Sequence, residues 1–471
     1  MGQKMIEASD LGFTYADSEE GIREISFEIY EGEVILLTGN SGCGKSTLLK
    51  CLNGLIPEVT EGELNGHIYV LGKDREGMKM HELNREIGSV FQNPRSQFFT
   101  DNTTAELVFP MENYGYSKEE MDRHLQKLTE DFSLQGLLDR SVYELSSGER
   151  QMVALASSLT MDQKVLLFDE PSANLDYGNA MKLGCLIREM KQKGMTVIVS
   201  DHRFYYLNGI IDRVFFMESG HLRIYGSEEQ FKQSGYHSRS FDIFHLDVPF
   251  RENAGSDEEV LSVEDVSYKD ILKDINFNLR KGETTVIVGA NGAGKTTLAK
   301  LMCRSIKPDH GKIRMKGIPF FIMQDPDYQL FGTSVHNELT LVKKDEESIK
   351  RHLEHFGLYE YRHTHPFDLS GGQKQRLQIA MTMLCDKEVI LFDEPTSGLD
   401  VSSMLKVSAE IIHLSRNAAT VVISHDYEFI RHVADRIIYL KNGSIAEDFR
   451  LNKENLSLLK GIFYEMQEEV K

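Results

Sequence analysis

No apolar run in this chain approaches the roughly 20 residues that a membrane-crossing helix needs. The opening MGQKMIEASD has no apolar signal core, and Ile6 stands where a myristoylation signal has Ser or Thr. Any work at a membrane is therefore expected to go through a partner. Cysteine is sparse. Cys43, Cys51, Cys185, Cys303 and Cys385 form no C-x-x-C pair, which suggests neither a zinc nor an iron–sulfur site and fits a reducing cytosol. Basic residues are outnumbered by acidic ones, 53 to 73, for a formal charge of −20. Broad adhesion to nucleic acid or anionic lipid is disfavoured, and no nucleic-acid partner is expected.

What is present is one pattern written twice. GNSGCGKST (39–47) is answered by GANGAGKTT (289–297), and LSSGERQ (145–151) by LSGGQKQ (369–375). VLLFDEPSANLD (165–176) is answered by VILFDEPTSGLD (389–400), and VSDH (199–202) by ISHD (423–426). The order is the same in both halves, so the 471 residues divide into two copies of one unit. The expected domains are 1–231 and 259–471, the second ending in a helical tail, with a linker at 232–258. The second copy is shorter early on: 47 positions separate Lys45 from Gln92, but 29 separate Lys295 from Gln324. A trimmed sheet segment is expected there. In the linker, FDIFHLDVPF is too apolar to be fully solvated and is expected to pack on one half. The tail LSLLKGIFYEMQEEVK is amphipathic at helical spacing and reads first as a surface helix, with packing on its own half or a part in associating the halves as the other readings. Short β-rich runs alternate with helical patterns throughout, which indicates an α/β fold with a mostly parallel sheet.

G-x-x-x-x-G-K-[ST] between an apolar strand and a helix is a P-loop. Its glycines let backbone N–H groups close around phosphate oxygens at a helix N-terminus. The candidate nucleotide contacts in the first copy are Gly39, Asn40, Ser41, Gly42, Cys43, Gly44, Lys45, Ser46 and Thr47. Those in the second are Gly289, Ala290, Asn291, Gly292, Ala293, Gly294, Lys295, Thr296 and Thr297. Lys45 and Lys295 would reach the β- and γ-phosphates of ATP, and Ser46 and Thr296 would ligate Mg²⁺. Two buried strands end in paired carboxylates at the sheet edge where the P-loop lies. Asp169 and Asp393 would hold the Mg²⁺ shell, and Glu170 and Glu394 are the candidate bases that polarise the attacking water. His202 and His425 recur at matched positions, which points to a γ-phosphate contact. Tyr15 and Tyr268 precede the P-loops and are candidates to stack on adenine; plain packing stays open for both.

In their order, P-loop, Gln turn, LSGGQ, Asp-Glu strand end and switch His resemble the ATPase domains of ABC proteins, over nearly all of both halves. The resemblance implies two P-loop NTPase domains in tandem, each a RecA-like core plus a helical subdomain, that pair head to tail. It implies that Gln92 and Gln324 reach the Mg²⁺ and the attacking water. It also implies that each signature covers the other half's nucleotide: Ser370, Gly371, Gly372 and Gln373 for site one, Ser146, Ser147, Gly148 and Glu149 for site two. The backbone N–H groups before the helical QKQRLQIAMTML suit a γ-phosphate. The first signature departs from the pattern. Ser147 replaces a Gly and Glu149 a Gln, so crowding and like-charge repulsion are expected to weaken site two, although both catalytic Glu residues remain.

The turns QNPRSQFF and QDPDYQLF, followed by TTAELVF and SVHNELTL, look most like the ATPases of energy-coupling factor (ECF) transporters. That resemblance implies an energy-coupling subunit at the cytoplasmic face of the cell membrane. Its partners would be an integral coupling subunit and a separate substrate-binding subunit, and its cargo a vitamin, a vitamin precursor or a metal ion. Phe99 and Phe331 would anchor the partner, with local core packing as the other reading. Arg95 stands where the family often has an acid, and Asp327 matches better. Two alternatives are kept: the ATPase of another ABC importer, for example for sugar, and a soluble ribosome-acting tandem ABC ATPase. The latter usually carries a long basic linker, unlike the short linker of this acidic chain.

Overall fold

The computed structural model describes residues 2–16, 20–91, 97–145, 147–161, 163–235, 241–251, 256–385 and 387–469. The chain separates into two compact units, with the division between Ile243 and Phe244.

The first unit is built on a six-stranded sheet in the order His221–Tyr225, Arg213–Glu218, Val34–Gly39, Thr196–Ser200, Val165–Asp169, Ile87–Val90. Its strands are parallel apart from the terminal hairpin. Both faces are covered, so the strands are continuously apolar. Alternate residues serve opposite layers. Ile35, Leu37, Leu167 and Ile198 face the P-loop helix and a four-stranded antiparallel sheet. Leu36, Leu166, Phe168 and Val199 face the helices Ser147–Ser157 and Tyr177–Gln192. Helices Thr103–Asn113, Lys118–Asp131 and Ser147–Ser157 lie between strands Ile87–Val90 and Val165–Asp169 and form the helical subdomain.

The second unit repeats this plan. Its six-stranded sheet runs Phe320–Ile322, Val389–Asp393, Ala419–Ile423, Thr284–Val288, Arg436–Lys441, Ser444–Arg450. Among the described residues, its antiparallel sheet has three strands rather than four, and the helix Met80–Glu86 has no counterpart. That is the trimming expected from the shorter spacing.

The sequence led us to expect the apolar linker run to pack on one half; instead it divides between the two units. Phe241 is buried in the first unit, its ring 4.7 Å from that of Phe204. Phe244 packs in the second unit, 4.9 Å from the Tyr427 ring. Further on, Arg251 pairs with the buried Asp435 at 3.1 Å and donates to the Val433 carbonyl at 2.6 Å. Aromatic side chains spaced along the run leave it too few polar residues to choose a single surface. The tail helix Leu456–Glu469 buries Leu459, Ile462, Phe463 and Met466, with Phe463 against Tyr427 at 5.2 Å.

Candidate functional site

In each unit a fully buried strand, Val34–Gly39 or Thr284–Val288, delivers the chain into the P-loop. The helices Lys45–Leu52 and Lys295–Met302 start directly after Gly44 (φ 106°) and Gly294 (φ 100°). A side chain is excluded at both positions by this left-handed backbone and by space. A Cβ at Gly44 would lie 2.6 Å from Ile22 Cγ2, and one at Gly294 2.8 Å from Leu272 Cδ2. Lys45 Nζ donates to the carbonyls of Gly39 (3.0 Å) and Asn40 (3.1 Å). Lys295 Nζ donates to those of Gly289 and Ala290, both at 2.8 Å. Each ammonium is thus buried and held over its own loop, where a phosphate oxygen would be a further acceptor.

The carboxylates sit beside these loops. Thr296 Oγ1 donates to Asp393 Oδ2 at 2.9 Å, and the Ser46 hydroxyl lies near enough to Asp169 to favour its charged form. Burial pushes Asp393 up to about 6, reinforced by the Glu394 charge, and moves Asp169 in the same direction. Asp169 Oδ1 is buried without a hydrogen-bond partner. A hydroxyl next to a carboxylate suits a hard cation that takes oxygen ligands, so both residue pairs fit Mg²⁺, and in the first the unpartnered Asp169 Oδ1 adds a further acceptor. Glu170 (φ 50°) and Glu394 (φ 49°) adopt left-handed backbone, which turns each side chain out of its strand line. Their N–H groups donate to the carbonyls of Ser200 (2.7 Å) and Ile423 (2.9 Å).

This register corrects the motif alignment by one residue. Ser200 corresponds to Ile423, so His202 and His425 coincide, but the strings VSDH and ISHD do not. Both histidines are buried beside the glutamates. His202 Nε2 lies 3.4 Å from Glu170 Oε1, whereas His425 Nδ1 lies 2.7 Å from Glu394 Oε1. Sequence could match the two residues but not their contacts.

Tyr15 reaches the first loop directly: its hydroxyl and Thr47 Oγ1 are 2.8 Å apart. Tyr268 is half-buried, with the Lys269 ammonium 5.2 Å from its ring centroid. The second signature begins the helix Gly371–Leu384. Ser370 caps it, and Gln373 reaches back to the Ser370 N–H at 2.8 Å. Ser370, Gly371 and Gly372 are exposed. In the first signature Glu149 faces Arg140 at 3.6 Å, an ion pair that tempers the like-charge repulsion expected of it. Gln324 lies just past strand Phe320–Ile322. Gln92, Arg95 and Ser146, and the side chain of Ser147, lie outside the described residues.

The Gln turns hold functional residues that the motifs alone do not reveal. Gln97 and Gln329 reach back to the backbone at the end of the preceding strand region. Their Oε1 atoms accept the N–H groups of Phe91 (3.2 Å) and Met323 (2.8 Å). Buried Glu106 accepts from the N–H groups of Phe99 (3.0 Å) and Thr100 (2.8 Å). Buried Glu338 accepts from Phe331 (2.9 Å) and from Gly332. The acids are visible in TTAELVF and SVHNELTL, but only as helix starts. With the backbone pinned, the side chains of Phe99 and Phe331 project outward, 75% and 78% exposed. Local core packing is thereby corrected for both, although Phe99 stacks on Phe109 at 5.1 Å.

A family model described as ABC transporter matches residues 22–173 and 272–397. A Treponema denticola protein provisionally named an ABC transporter ATP-binding protein is 39% identical, over 95% of this chain and 97% of its own. A Bacillus subtilis (strain 168) protein provisionally named an HMP/thiamine import ATP-binding protein is 31% identical, over 94% of this chain and 91% of its own. Among solved structures, the RNase-L Inhibitor superposes with a TM-score of 0.66 at 22% identity, covering 96% of this chain and 93% of that one. At that identity the likeness speaks for the fold alone.

Proposed function

The chain belongs to the ABC transporter family, and on that premise we propose that it is the energy-coupling ATPase of an ECF-type importer. As a family member it is an ABC ATPase: it binds ATP and hydrolyses it for transport. The finer reading assigns Phe99 and Phe331 as anchors for a membrane coupling subunit, and a vitamin, vitamin precursor or metal ion as cargo.

One observation carries this reading. The backbones of Phe99 and Phe331 are held by Glu106 and Glu338, so each exposed aromatic is presented outward, Phe99 with Phe109 stacked against it. Exposed aromatics on a hydrogen-bonded backbone suit an anchoring contact. The relative named for HMP/thiamine import supports the vitamin-precursor class. Among the described residues no helix is long and apolar enough to cross a membrane, so attachment to the cytoplasmic face of the membrane would run through these anchors.

The chemistry follows from the side chains. Lys45 and Lys295, with the loop N–H groups, would hold the β- and γ-phosphates. Glu170 and Glu394 would accept the proton of a water whose oxygen attacks the γ-phosphorus as its bond to the bridging oxygen breaks. ADP and phosphate then leave. His202 and His425 would orient the glutamate and the γ-phosphate. Mg²⁺, bound at Ser46–Asp169 and Thr296–Asp393 together with Gln92 and Gln324, would supply charge neutralisation on the phosphate oxygens. Each signature, Ser370–Gln373 or 146–149, is proposed to serve the nucleotide of the other unit.

The test is purification of the tagged chain from gently solubilised membranes. A small polytopic subunit together with a second, distinct membrane protein should come along. Phe99→Ala combined with Phe331→Ala should lose both while retaining basal ATP turnover. Recovery with ribosomes and no membrane protein would overturn the reading.

A further inference from the structure

The two histidine turns are built differently, and the difference is concentrated on one buried acid. Asp201 precedes His202. Its backbone N–H donates to the Leu37 carbonyl (3.2 Å) in the P-loop strand. Its Oδ1 accepts the N–H groups of His202 (2.7 Å) and Arg203 (3.0 Å). Its Oδ2 accepts the Tyr206 hydroxyl (2.7 Å) and the N–H of Ser172 (3.4 Å), two residues beyond Glu170. Its buried carboxylate thus ties the histidine turn to the Asp-Glu turn, while its backbone N–H ties the same turn to the P-loop strand.

In the second unit the strand register puts Ser424 directly after the strand, where the first has Asp201, and the same offset carried on brings Phe429, in the helix Tyr427–Val433, to the place of Tyr206 in the short turn Tyr205–Leu207. Ser424 Oγ accepts the N–H of Asp426 at 3.1 Å, and Phe429 is buried with no hydroxyl to donate. The acid and its phenolic donor are present together in one copy and replaced together in the other. That joint change is what a working pair requires. Tyr206 without Asp201 would be a buried donor lacking its acceptor, and Asp201 without Tyr206 a buried carboxylate short of a donor. The second unit holds its histidine otherwise, by the 2.7 Å contact between His425 and Glu394, whereas His202 stands 3.4 Å from Glu170.

We propose that Asp201, braced by Tyr206, is the positioning residue of site one: it fixes the backbone that carries His202 relative to Glu170, a role for which Ser424 in the second unit has no carboxylate. The proposal rests on the assignment of Glu170 and His202 to site one. Both Asp201 carboxylate oxygens are taken up by protein donors, so it would act through Glu170 and His202 rather than on the substrate itself. Misplacing them should slow turnover and leave nucleotide affinity alone, because the P-loop holds the phosphates independently.

The experiment compares Asp201→Ser in two full-length backgrounds. Glu394→Gln leaves turnover to site one, and Glu170→Gln leaves it to site two. In the first background kcat should fall about tenfold with KM unchanged, and in the second by less than about twofold. Asp201→Asn, which still accepts from the His202 and Arg203 N–H groups, should recover most of the loss. A loss of similar size in both backgrounds, tracking a lower melting temperature, would reduce Asp201 to general stability and overturn the proposal, as would no loss in either. His202→Ala in the Glu394→Gln chain separates the two assignments. If it too has no effect, the placing of His202 in site one fails; if it is inactive while Asp201→Ser is not, the bracing alone fails. Should one Gln substitution silence both sites, vanadate trapping of azido-ATP in the otherwise unaltered chain distinguishes the same outcomes. Asp201→Ser must then lower labelling of first-unit peptides and spare those of the second, and equal labelling would contradict it.

Discussion

Asp393 is a carboxyl held where its charge is least welcome. Burial lifts it to about 6, above the roughly 3.9 of an unfolded chain. The folded state therefore binds the proton more tightly. Its stability is favoured at low pH, is lost as pH rises between those two values, and carries the full cost above about 6. Asp393→Asn keeps the acceptor for Thr296 Oγ1 and removes the charge. At about pH 7.5 without Mg²⁺ the variant should melt higher than the parent, by up to about 3 kcal/mol of stability, and the gain should shrink at about pH 5. A lower melting point at the higher pH would contradict this. The residues themselves were legible, because phosphate, metal and water each demand particular side chains at short fixed spacing. Lys45, Asp169 and Glu170 come from such strings. Arg140 beside Glu149 and Tyr206 beneath Asp201 do not: they are near their partners in sequence, but no motif spacing announces either contact.

At the scale of single elements, the strands were readable because burial on both faces leaves them uniformly apolar, as in Val34–Gly39 and Val389–Asp393. The Gln turns were recognisable as turns, but their internal bracing was not, since Glu338 folds back over seven residues to reach Phe331. Removing that acceptor strands two backbone donors, at roughly 1–3 kcal/mol each where they are shut off from water. Glu338→Ala should therefore destabilise the second unit by about 2–4 kcal/mol in urea. The Phe331 and Gly332 amides should exchange faster with solvent. Glu338→Gln, which keeps one accepting oxygen, should lose less. Unchanged exchange at both amides would remove the carboxylate from its bracing role. The linker was the least legible element. Phe241 and Phe244 are equally apolar in sequence, and only tertiary packing assigns one to each unit.

At the scale of the whole molecule, duplication made the architecture visible, because each motif in one half vouches for its counterpart in the other. The copies have since diverged where their chemistry permits. The first antiparallel sheet keeps a fourth strand, the first signature carries Ser147 and Glu149, and the histidine turns are held by different groups. Both copies nonetheless retain a P-loop lysine over its own carbonyls, an Asp whose carboxyl is raised by desolvation and a buried Glu beside a His. The central claim is that both sites hydrolyse ATP. The most direct measurement is steady-state turnover of Glu170→Gln, Glu394→Gln and the double variant. Each single variant should retain a measurable part of the parental rate, and the double variant none. Complete loss with Glu170→Gln alone, alongside an unchanged rate with Glu394→Gln, would contradict the account.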